Sequence, residues 1–155
     1  YKGVREMTQL HVEAEAVSQA APAAVWALVA NADSYRQWGP WADSGYERVG
    51  EDGPLGAGAI RWFQYGGRTR TVEKVLIAES GQRLVYTVVA GLPVRNYRAE
   101  VTLSPAGSGT KIAWSARWDR TLGGRIVHRK LRVLYPEIVA ALTAAADREV
   151  LPATS

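Results

Sequence analysis

The amino-acid sequence predicts an α+β fold, in which a curved antiparallel sheet of seven strands wraps around one long C-terminal helix and two short helices follow the first strand. Segments of alternating apolar and polar residues recur between residues 10 and 119, separated by short stretches rich in Gly, Pro and Ser. Short separators indicate antiparallel pairing, because parallel strands need long crossovers. After residue 124 the apolar residues recur every three or four positions, as in an amphipathic helix.

The first strand and the two short helices lie in the first quarter of the chain. The segment LHVEAEAV, from Leu10, alternates as a half-buried strand does. In APAAVWALVA, Pro22 suits the first turn of a helix, because the N–H that it lacks has no partner there. We expect Asp33 to cap the second helix, SYRQW, which ends before Gly39 and Pro40.

Six further strands and one long helix complete the predicted order. The strands are SGYERV, AIRWFQY, RTRTVEKVLIA, RLVYTVVA, VRNYRAEVTLS and KIAWSARWD. The helix is RIVHRKLRVLYPEIVAALTAAADREV. It has an apolar stripe, and it is the only predicted helix long enough to cover the sheet. Pro136 lies inside this segment, so we expect the helix to be kinked or split there.

The length of 155 residues is sufficient for one domain with its own core, which we expect to span residues 8–151. Residues 1–7 are expected to be a leader and residues 152–155 a tail. The chain has no cysteine, which excludes disulfides, thiolate metal sites and cysteine nucleophiles. No apolar run is as long as a transmembrane helix, and no signal-peptide pattern opens the sequence, so we predict a cytoplasmic protein without integral membrane association.

No residue pattern points to a metal or a cofactor. The two histidines, His11 and His128, are far apart in sequence, and His11 falls on the outward phase of its strand. Neither the hydrolase motif G-x-S-x-G nor the phosphate-binding loop G-x-x-x-x-G-K-[ST] occurs. We therefore expect neither a metal site nor a cofactor.

The net charge of +4 and the pI near 9.6 suit an anionic partner, but they also fit an ordinary solvated surface. Basic residues concentrate in RIVHRKLR, from Arg125 to Arg132. These residues form either the solvated face of the helix, opposite Val127 and Leu131, or a surface that touches a membrane or an acidic carrier protein. We expect no nucleic-acid partner.

Two charged residues fall on the predicted inner face of the sheet. AIRWFQY places Arg61 in phase with Phe63, and RTRTVEKVLIA places Glu73 in phase with Val75 and Ile77. An inward carboxylate has to be paired, hydrogen-bonded or protonated, and Arg61 can pair with it. A bulge that flips the register would instead leave both charges in water. The inward alternative gives a cavity with a few polar groups on apolar walls, which is typical of a ligand site.

Aromatic side chains supply the predicted walls of this cavity. The inward phases of the later strands carry Tyr86, Tyr97, Trp114 and Trp118. The turn QWGPW adds two of the six tryptophans. We expect Trp38 to lie in the core and Trp41 to lie at the wall or the mouth of the cavity.

The order of these segments resembles the START-like, helix-grip (SRPBCC) superfamily, in particular bacterial proteins of the polyketide cyclase/dehydrase type. The resemblance rests on AAPAAVWALVANADSYRQW, GAIR, VEKV, LVYTVVAGLPVRNY, GTKIAW and the terminal amphipathic helix. VEKVLIAESGQRLVYTVVAGLPVRNY is also similar to plant abscisic-acid receptors, whose cavity-facing Glu and Tyr match Glu73 and Tyr97. The receptors' gating turn SGLPA and latch HRL have no counterpart, so the resemblance implies a shared cavity layout and not hormone reception.

The resemblance implies that a hydrophobic or aromatic, polyketide-like ligand binds in the cavity. One alternative is an enzyme for aldol cyclisation and dehydration, with Glu73 as the base, Arg61 holding the developing oxyanion and Tyr97 or Tyr86 donating a proton. Its substrate would be a polyketide intermediate, in one version presented by an acyl carrier protein. The other alternative is a non-catalytic carrier or sensor. The expected ligand-binding residues are Trp41, Phe63, Tyr65, Tyr86, Tyr97, Trp114, Trp118, Leu131 and Tyr135.

Overall fold

The computed structural model describes residues 8–53, 55–67 and 70–150. The expected leader (residues 1–7) and the expected tail (residues 152–155) lie outside the described residues. The elements are β1 (Gln9–Ser18), α1 (Pro22–Val29), α2 (Ala32–Trp38), β2 (Asp43–Arg48), β3 (Ile60–Gln64), β4 (Arg70–Glu79), β5 (Arg83–Ala90), β6 (Arg98–Ala106), β7 (Gly109–Asp119) and α3 (Leu122–Arg148).

All seven strands form one antiparallel sheet in the order β1-β7-β6-β5-β4-β3-β2. Consecutive strands from β2 to β7 are neighbours, as their short connections require. The first strand pairs with the last, and α3 packs along β1 and β7. The core lies between the sheet and α3, which confirms the predicted fold class.

The long helix α3 is held to the sheet by its apolar stripe. Val127, Leu131, Ile138 and Leu142 recur at helical spacing and are buried. Pro136 is exposed and lies within the helix, which continues through it as one element. Of the two predicted alternatives at Pro136, a kink or a split, the split is therefore wrong. Pro136 removes one backbone donor, but the packing of the stripe on both sides of it keeps the helix together.

The second short helix, α2, is capped by a different residue from the one predicted. Asn31 is its N-cap, and the side-chain oxygen of Asn31 accepts a hydrogen bond of 3.1 Å from the Asp33 backbone N–H. Asp33 lies in the first turn, where its negative charge faces the positive end of the helix dipole. The prediction that Asp33 is the cap was wrong by two positions.

A bulge in the β4–β5 pairing changes the facing of one predicted inner residue. Val75 stands opposite Tyr86, but the register shifts and Ile77 then stands opposite Val85. Because residues directly opposite each other share a face, Ile77 lies on the outer face with Val85, and Ala78 takes the inner position opposite Leu84. The predicted inward phase thus holds for Glu73 and Val75 but not for Ile77.

Strand β6 begins later than its alternating pattern indicated. It starts at Arg98, and Val94 to Tyr97 belong to the connection from β5. In that connection Asn96 has a φ of 54°, which breaks the extended conformation of a strand. Among the described residues, no helix combines the length and the apolar character needed to span a bilayer.

Candidate functional site

Arg61 of β3 and Glu73 of β4 form a buried ion pair on the inner face of the sheet. They stand opposite each other in the β3–β4 register, and Arg61 Nη2 donates to Glu73 Oε1 at 2.8 Å. The Arg61 side chain is 1% exposed and that of Glu73 is 13% exposed. The β3–β4 register is unbroken across the pair, so both charges point inward and the alternative in which a bulge turns them to water is wrong.

The guanidinium of Arg61 is enclosed by aromatic rings. Its central carbon lies 5.4 Å from the ring centre of Tyr35, 5.2 Å from that of Phe63 and 5.1 Å from that of Tyr86. Arg61 Nη1 donates to the backbone oxygen of Val29 at 3.4 Å. Arg61 Nε is buried and makes no hydrogen bond with any described residue. The guanidinium is therefore held in place by the cation–π contacts and by Glu73.

Glu73 combines burial with one strong partner. Burial raises the pKa of this carboxyl, and the opposing charge and hydrogen bond of Arg61 offset the effect only in part. Its hydrogen bond to Arg61 uses Oε1, while Oε2 has no hydrogen bond from the described part of the chain. A carboxylate in this setting can accept a proton more readily than one in water, because burial disfavours its charged form.

The Glu73 side chain lies at the wall of an internal cavity between the sheet and α3. The volume of this cavity is about 30 Å³, which is room for one or two water molecules. Sites for drug-sized ligands have volumes of roughly 300–1,000 Å³. The cavity is lined by Tyr35, Trp41, Phe63, Tyr65, Thr71, Glu73, Tyr86, Val88, Leu92, Tyr97, Trp114, Leu131, Leu134, Tyr135 and Ile138.

Tyrosine hydroxyls form the second polar group of the cavity. Trp114 Nε1 donates to the Tyr86 hydroxyl at 3.0 Å, and the Tyr97 and Tyr135 hydroxyls share a short hydrogen bond. Burial raises the pKa of Tyr86, Tyr97 and Tyr135, and it raises the pKa of Tyr65 to about 12. These phenols are therefore neutral at physiological pH, and each can act as a hydrogen-bond donor or acceptor.

The structure brings most of the predicted site residues to the cavity. The nine that line it are Trp41, Phe63, Tyr65, Glu73, Tyr86, Tyr97, Trp114, Leu131 and Tyr135.

Two predicted site residues lie elsewhere. Trp118 is fully buried behind the wall, where its ring stacks on Tyr97 at 5.4 Å between ring centres. Its Nε1 donates to the Gly124 backbone oxygen at 2.9 Å, so Trp118 ties β7 to the start of α3 and does not face the cavity. Arg61 is covered by Glu73 and by the three aromatic rings around its guanidinium, and it does not line the cavity.

The two tryptophans of the QWGPW turn have different environments. Trp41 is 6% exposed and packs 5.6 Å from the ring of Phe63, on the cavity wall. Trp38 is only half-buried, and its Nε1 donates to Ser34 Oγ within α2. Trp38 was predicted to lie in the core, but it lies at the edge of the core. Its half-buried ring packs on Tyr35, with 4.7 Å between the ring centres.

Six residues that line the cavity were not predicted as site residues from the sequence. Thr71 and Val88 share the inward phase with Glu73 and Tyr86, so the alternation could have identified them. Thr71 Oγ1 is buried and makes no hydrogen bond with a described residue. The others belong to helices or to the β5–β6 connection, whose placement over the sheet a strand pattern does not reveal; they are Tyr35, Leu92, Leu134 and Ile138.

Within the described ranges, no three His, Asp or Glu side chains come close enough together to hold a metal ion. His11 and His128 meet instead through the backbone. His128 Nε2 lies 3.1 Å from the backbone oxygen of His11, on the outside of the fold.

Comparison with known families gives one match that covers most of the chain. The family described as polyketide cyclase/dehydrase and lipid transport matches residues 9–148. No curated protein matches the sequence.

Solved structures with the same fold cover nearly the whole chain. XoxI from Bacillus cereus superimposes with a TM-score of 0.73 at 17% identity, covering 92% of this chain and 99% of its own. A protein from Thermobifida fusca gives a TM-score of 0.64 at 27% identity, covering 92% and 91%. Ara h 8.0201 gives a TM-score of 0.67 at 15% identity, covering 89% and 97%. These likenesses confirm the helix-grip fold.

Proposed function

The chain belongs to the polyketide cyclase/dehydrase and lipid transport family, and from this premise we propose that it binds a hydrophobic, polyketide-like molecule between the sheet and α3 and catalyses its aldol cyclisation and dehydration. The observation that carries the proposal is the buried carboxylate of Glu73 at the wall of an aromatic cavity, with one oxygen free of hydrogen bonds from the described chain. Family membership by itself supports only the binding of a hydrophobic ligand.

In the proposed reaction Glu73 is the general base. It removes a proton from a methylene between two carbonyl groups, and the resulting enolate carbon attacks the carbon of a further, more distant carbonyl group of the same chain. The new carbon–carbon bond leaves an alkoxide, which takes up a proton. Loss of a second α-proton and of the hydroxyl then releases one water molecule and gives the conjugated ring. The raised pKa of Glu73 supports the role, since a general base works best with a pKa near the operating pH.

The Tyr97–Tyr135 pair is the proposed proton donor to the alkoxide. A hydrogen bond between two hydroxyls uses only one of their two protons, so one O–H remains for a ligand oxygen. Arg61 has a different role from the one expected from the sequence. Because its guanidinium is sealed from the cavity, we assign it as a positioning residue that orients Glu73 and lowers the cost of ionising it.

A polyketide-like ligand is much larger than the cavity of about 30 Å³, so the cavity has to enlarge to bind it. The residues at its edge that are only half-buried are the ones available to move, and they include Tyr65, Val88, Leu92 and Leu134. Ligand affinity then includes the free-energy cost of the open conformation. A flexible polyketide that fills the enlarged space would be folded against rigid rings such as Trp114 and Phe63, which favours ring closure by proximity.

One observation favours a non-catalytic carrier as the second candidate. Among the described residues that line the cavity there is no Lys, Arg or His, so no cation is available at its surface to stabilise a developing oxyanion. A carrier needs only apolar walls and a polar group such as Glu73 to orient its ligand.

Turnover of a synthetic poly-β-keto thioester separates the two candidates. We expect the native protein to form the cyclised product with loss of water, at a rate that rises with pH as Glu73 ionises. Glu73→Gln keeps an oxygen for Arg61 and should lower the rate at least about hundredfold, with ligand affinity within a few-fold of the native value. Glu79→Gln, an exposed site on the same strand, is the control. Binding without turnover by the native protein would overturn the enzyme and leave the carrier.

A further inference from the structure

A broad groove crosses the outside of the fold at the start of α3. We call it the basic groove. Its volume is about 580 Å³, and it is separate from the internal cavity, with which it shares no lining residue. It is lined by Leu10, Arg120, Leu122, Arg125, Ile126, His128, Arg129 and Arg132.

The charge of this region is of one sign. Residues 120–132 contain Arg120, Arg125, Arg129, Lys130 and Arg132 and no Asp or Glu. All five are exposed, and within the described part of the chain none of them forms an ion pair. Other exposed cations do find carboxylates, as Arg36 does with Asp43. The region therefore presents positive charge that the described protein surface does not neutralise.

Large apolar side chains are exposed among these cations. Leu122 is 79% exposed, Ile126 is 53% exposed and Val133 is 62% exposed. Their spacing of four and seven residues places them along one side of α3, away from the buried stripe of Val127 and Leu131. The first half of α3 thus has two apolar stripes, of which only one is covered by the sheet.

Two of these cations also oppose the local stability of the helix. Arg120 precedes the N-cap Thr121 and Arg125 lies in the first turn, where the helix dipole is positive and where α3 has no acidic residue. Basic side chains in that place are unfavourable to the helix. A local arrangement that costs stability is expected where it serves a function.

We propose that this face of α3 docks on the surface of an anionic lipid bilayer. Exposed apolar side chains interleaved with Arg and Lys are the pattern of a helix that lies in the membrane interface. Leu122 and Ile126 would enter the headgroup region, while the long stems of Arg125 and Arg129 keep their charges at the lipid phosphates. A purely ionic partner, such as an acidic protein, would leave the exposure of these apolar side chains without a role.

The groove adjoins the connection at the edge of the internal cavity. A Cβ on Gly123 would lie 2.6 Å from the Pro93 backbone oxygen, so the start of α3 touches the segment that carries the cavity-lining Leu92. Docking would place that segment close to the bilayer, which is a source of apolar molecules. The docking itself does not depend on the reaction proposed above.

Vesicle co-sedimentation tests the proposal. We expect the native protein to bind vesicles of equal parts phosphatidylglycerol and phosphatidylcholine, to release them at high salt and not to bind pure phosphatidylcholine. Arg125→Gln/Arg129→Gln should weaken partitioning roughly thirtyfold. The control with the same charge change is Lys74→Gln/Arg98→Gln, whose side chains are exposed elsewhere on the sheet.

A second pair of variants tests the apolar contribution. Leu122→Ser/Ile126→Ser should weaken partitioning at unchanged net charge, whereas Val89→Ser, on the exposed face of the sheet, should not. The proposal is overturned if the native protein does not bind anionic vesicles. It is also overturned if Leu122→Ser/Ile126→Ser binds them as strongly as the native protein and the Val89→Ser control do. It is also overturned if soluble polyglutamate or glycerol phosphate abolishes vesicle binding at matched ionic strength, because the groove would then hold an acidic chain or a free phosphate.

Discussion

Arg61 and Glu73 stand opposite each other on adjacent strands, and their 2.8 Å ion pair lies beneath the aromatic cavity. Three rings surround the guanidinium, and one oxygen of the carboxylate accepts from it. A buried ion pair contributes little net stability compared with apolar residues of the same size, although the loss of one partner is costly. The stability of the fold therefore does not require this ion pair, which supports the role proposed for Glu73.

A double-mutant cycle on this pair should show the asymmetry. We expect Glu73→Leu to lower the free energy of unfolding by about 3–5 kcal/mol, because it leaves the Arg61 charge buried and unpaired. Arg61→Met/Glu73→Leu should recover most of this loss. Urea denaturation followed by tryptophan fluorescence measures these two variants and Arg61→Met, the second single variant of the cycle. Additive losses in the double variant would show that the two side chains do not depend on each other.

Alkaline pH should unfold the protein through its tyrosines. Burial raises the pKa of Tyr35, Tyr65, Tyr86, Tyr97 and Tyr135. Their neutral form is favoured in the folded state, so the stability they contribute is complete below about pH 10, the pKa of an unfolded tyrosine, and is lost as the pH rises above it. We expect absorbance at the phenolate band and loss of circular dichroism to rise together. Reversible ionisation of these phenols in an intact fold would contradict their burial.

Trp118 and Trp114 should respond differently to the same substitution. Trp118→Phe removes the hydrogen bond to Gly124 and part of a fully buried ring, and should cost about 2 kcal/mol of stability without changing ligand affinity. Trp114→Phe removes the bond to the Tyr86 hydroxyl at the cavity wall and should change the affinity for N-phenyl-1-naphthylamine, a neutral fluorescent probe. An affinity change in Trp118→Phe alone would reverse the two roles.

The capping of α2 should be visible in a pair of alanine variants. Asn31→Ala removes the side-chain acceptor for the Asp33 N–H and should cost about 1 kcal/mol. Asp33→Ala removes only a favourable charge near the dipole and should cost less, roughly 0.3–1 kcal/mol. This cost of Asp33→Ala should shrink at high salt, because salt screens the charge. Thermal denaturation compares them. A larger loss in Asp33→Ala would restore that residue as the cap.

The strand pattern predicted the sheet, and it predicted the inward facing of Arg61 and Glu73 as one of two alternatives, because strict alternation assigns a face to each residue once one apolar neighbour is known. It failed at Ile77, where one extra residue in the strand reverses the alternation and the composition carries no sign of it. At Pro136 the sequence left a kink and a split open. Propensity describes an isolated helix and could not exclude the split, because α3 is held as one element by packing.

The candidate site was less predictable than the fold. Residues on strands, such as Tyr86 and Trp114, could be placed from their phase. Trp118 shares that phase, but the start of α3 covers it, and the position of a helix end over a sheet depends on tertiary packing. The same limit applies to Tyr35 and Leu92, which reach the cavity from elements without a two-residue period.

The central claim is that an apolar molecule binds between the sheet and α3, and a pair of neighbouring substitutions tests it most directly. Val88 lines the cavity, whereas Val89 is 52% exposed on the other face of the same strand. Titration with N-phenyl-1-naphthylamine should give saturable one-to-one binding by the native protein and by Val89→Trp. Val88→Trp should bind at least about tenfold more weakly, because its indole takes the space that the ligand needs. No saturable binding by the native protein, or equal affinity in the two variants, would contradict the claim.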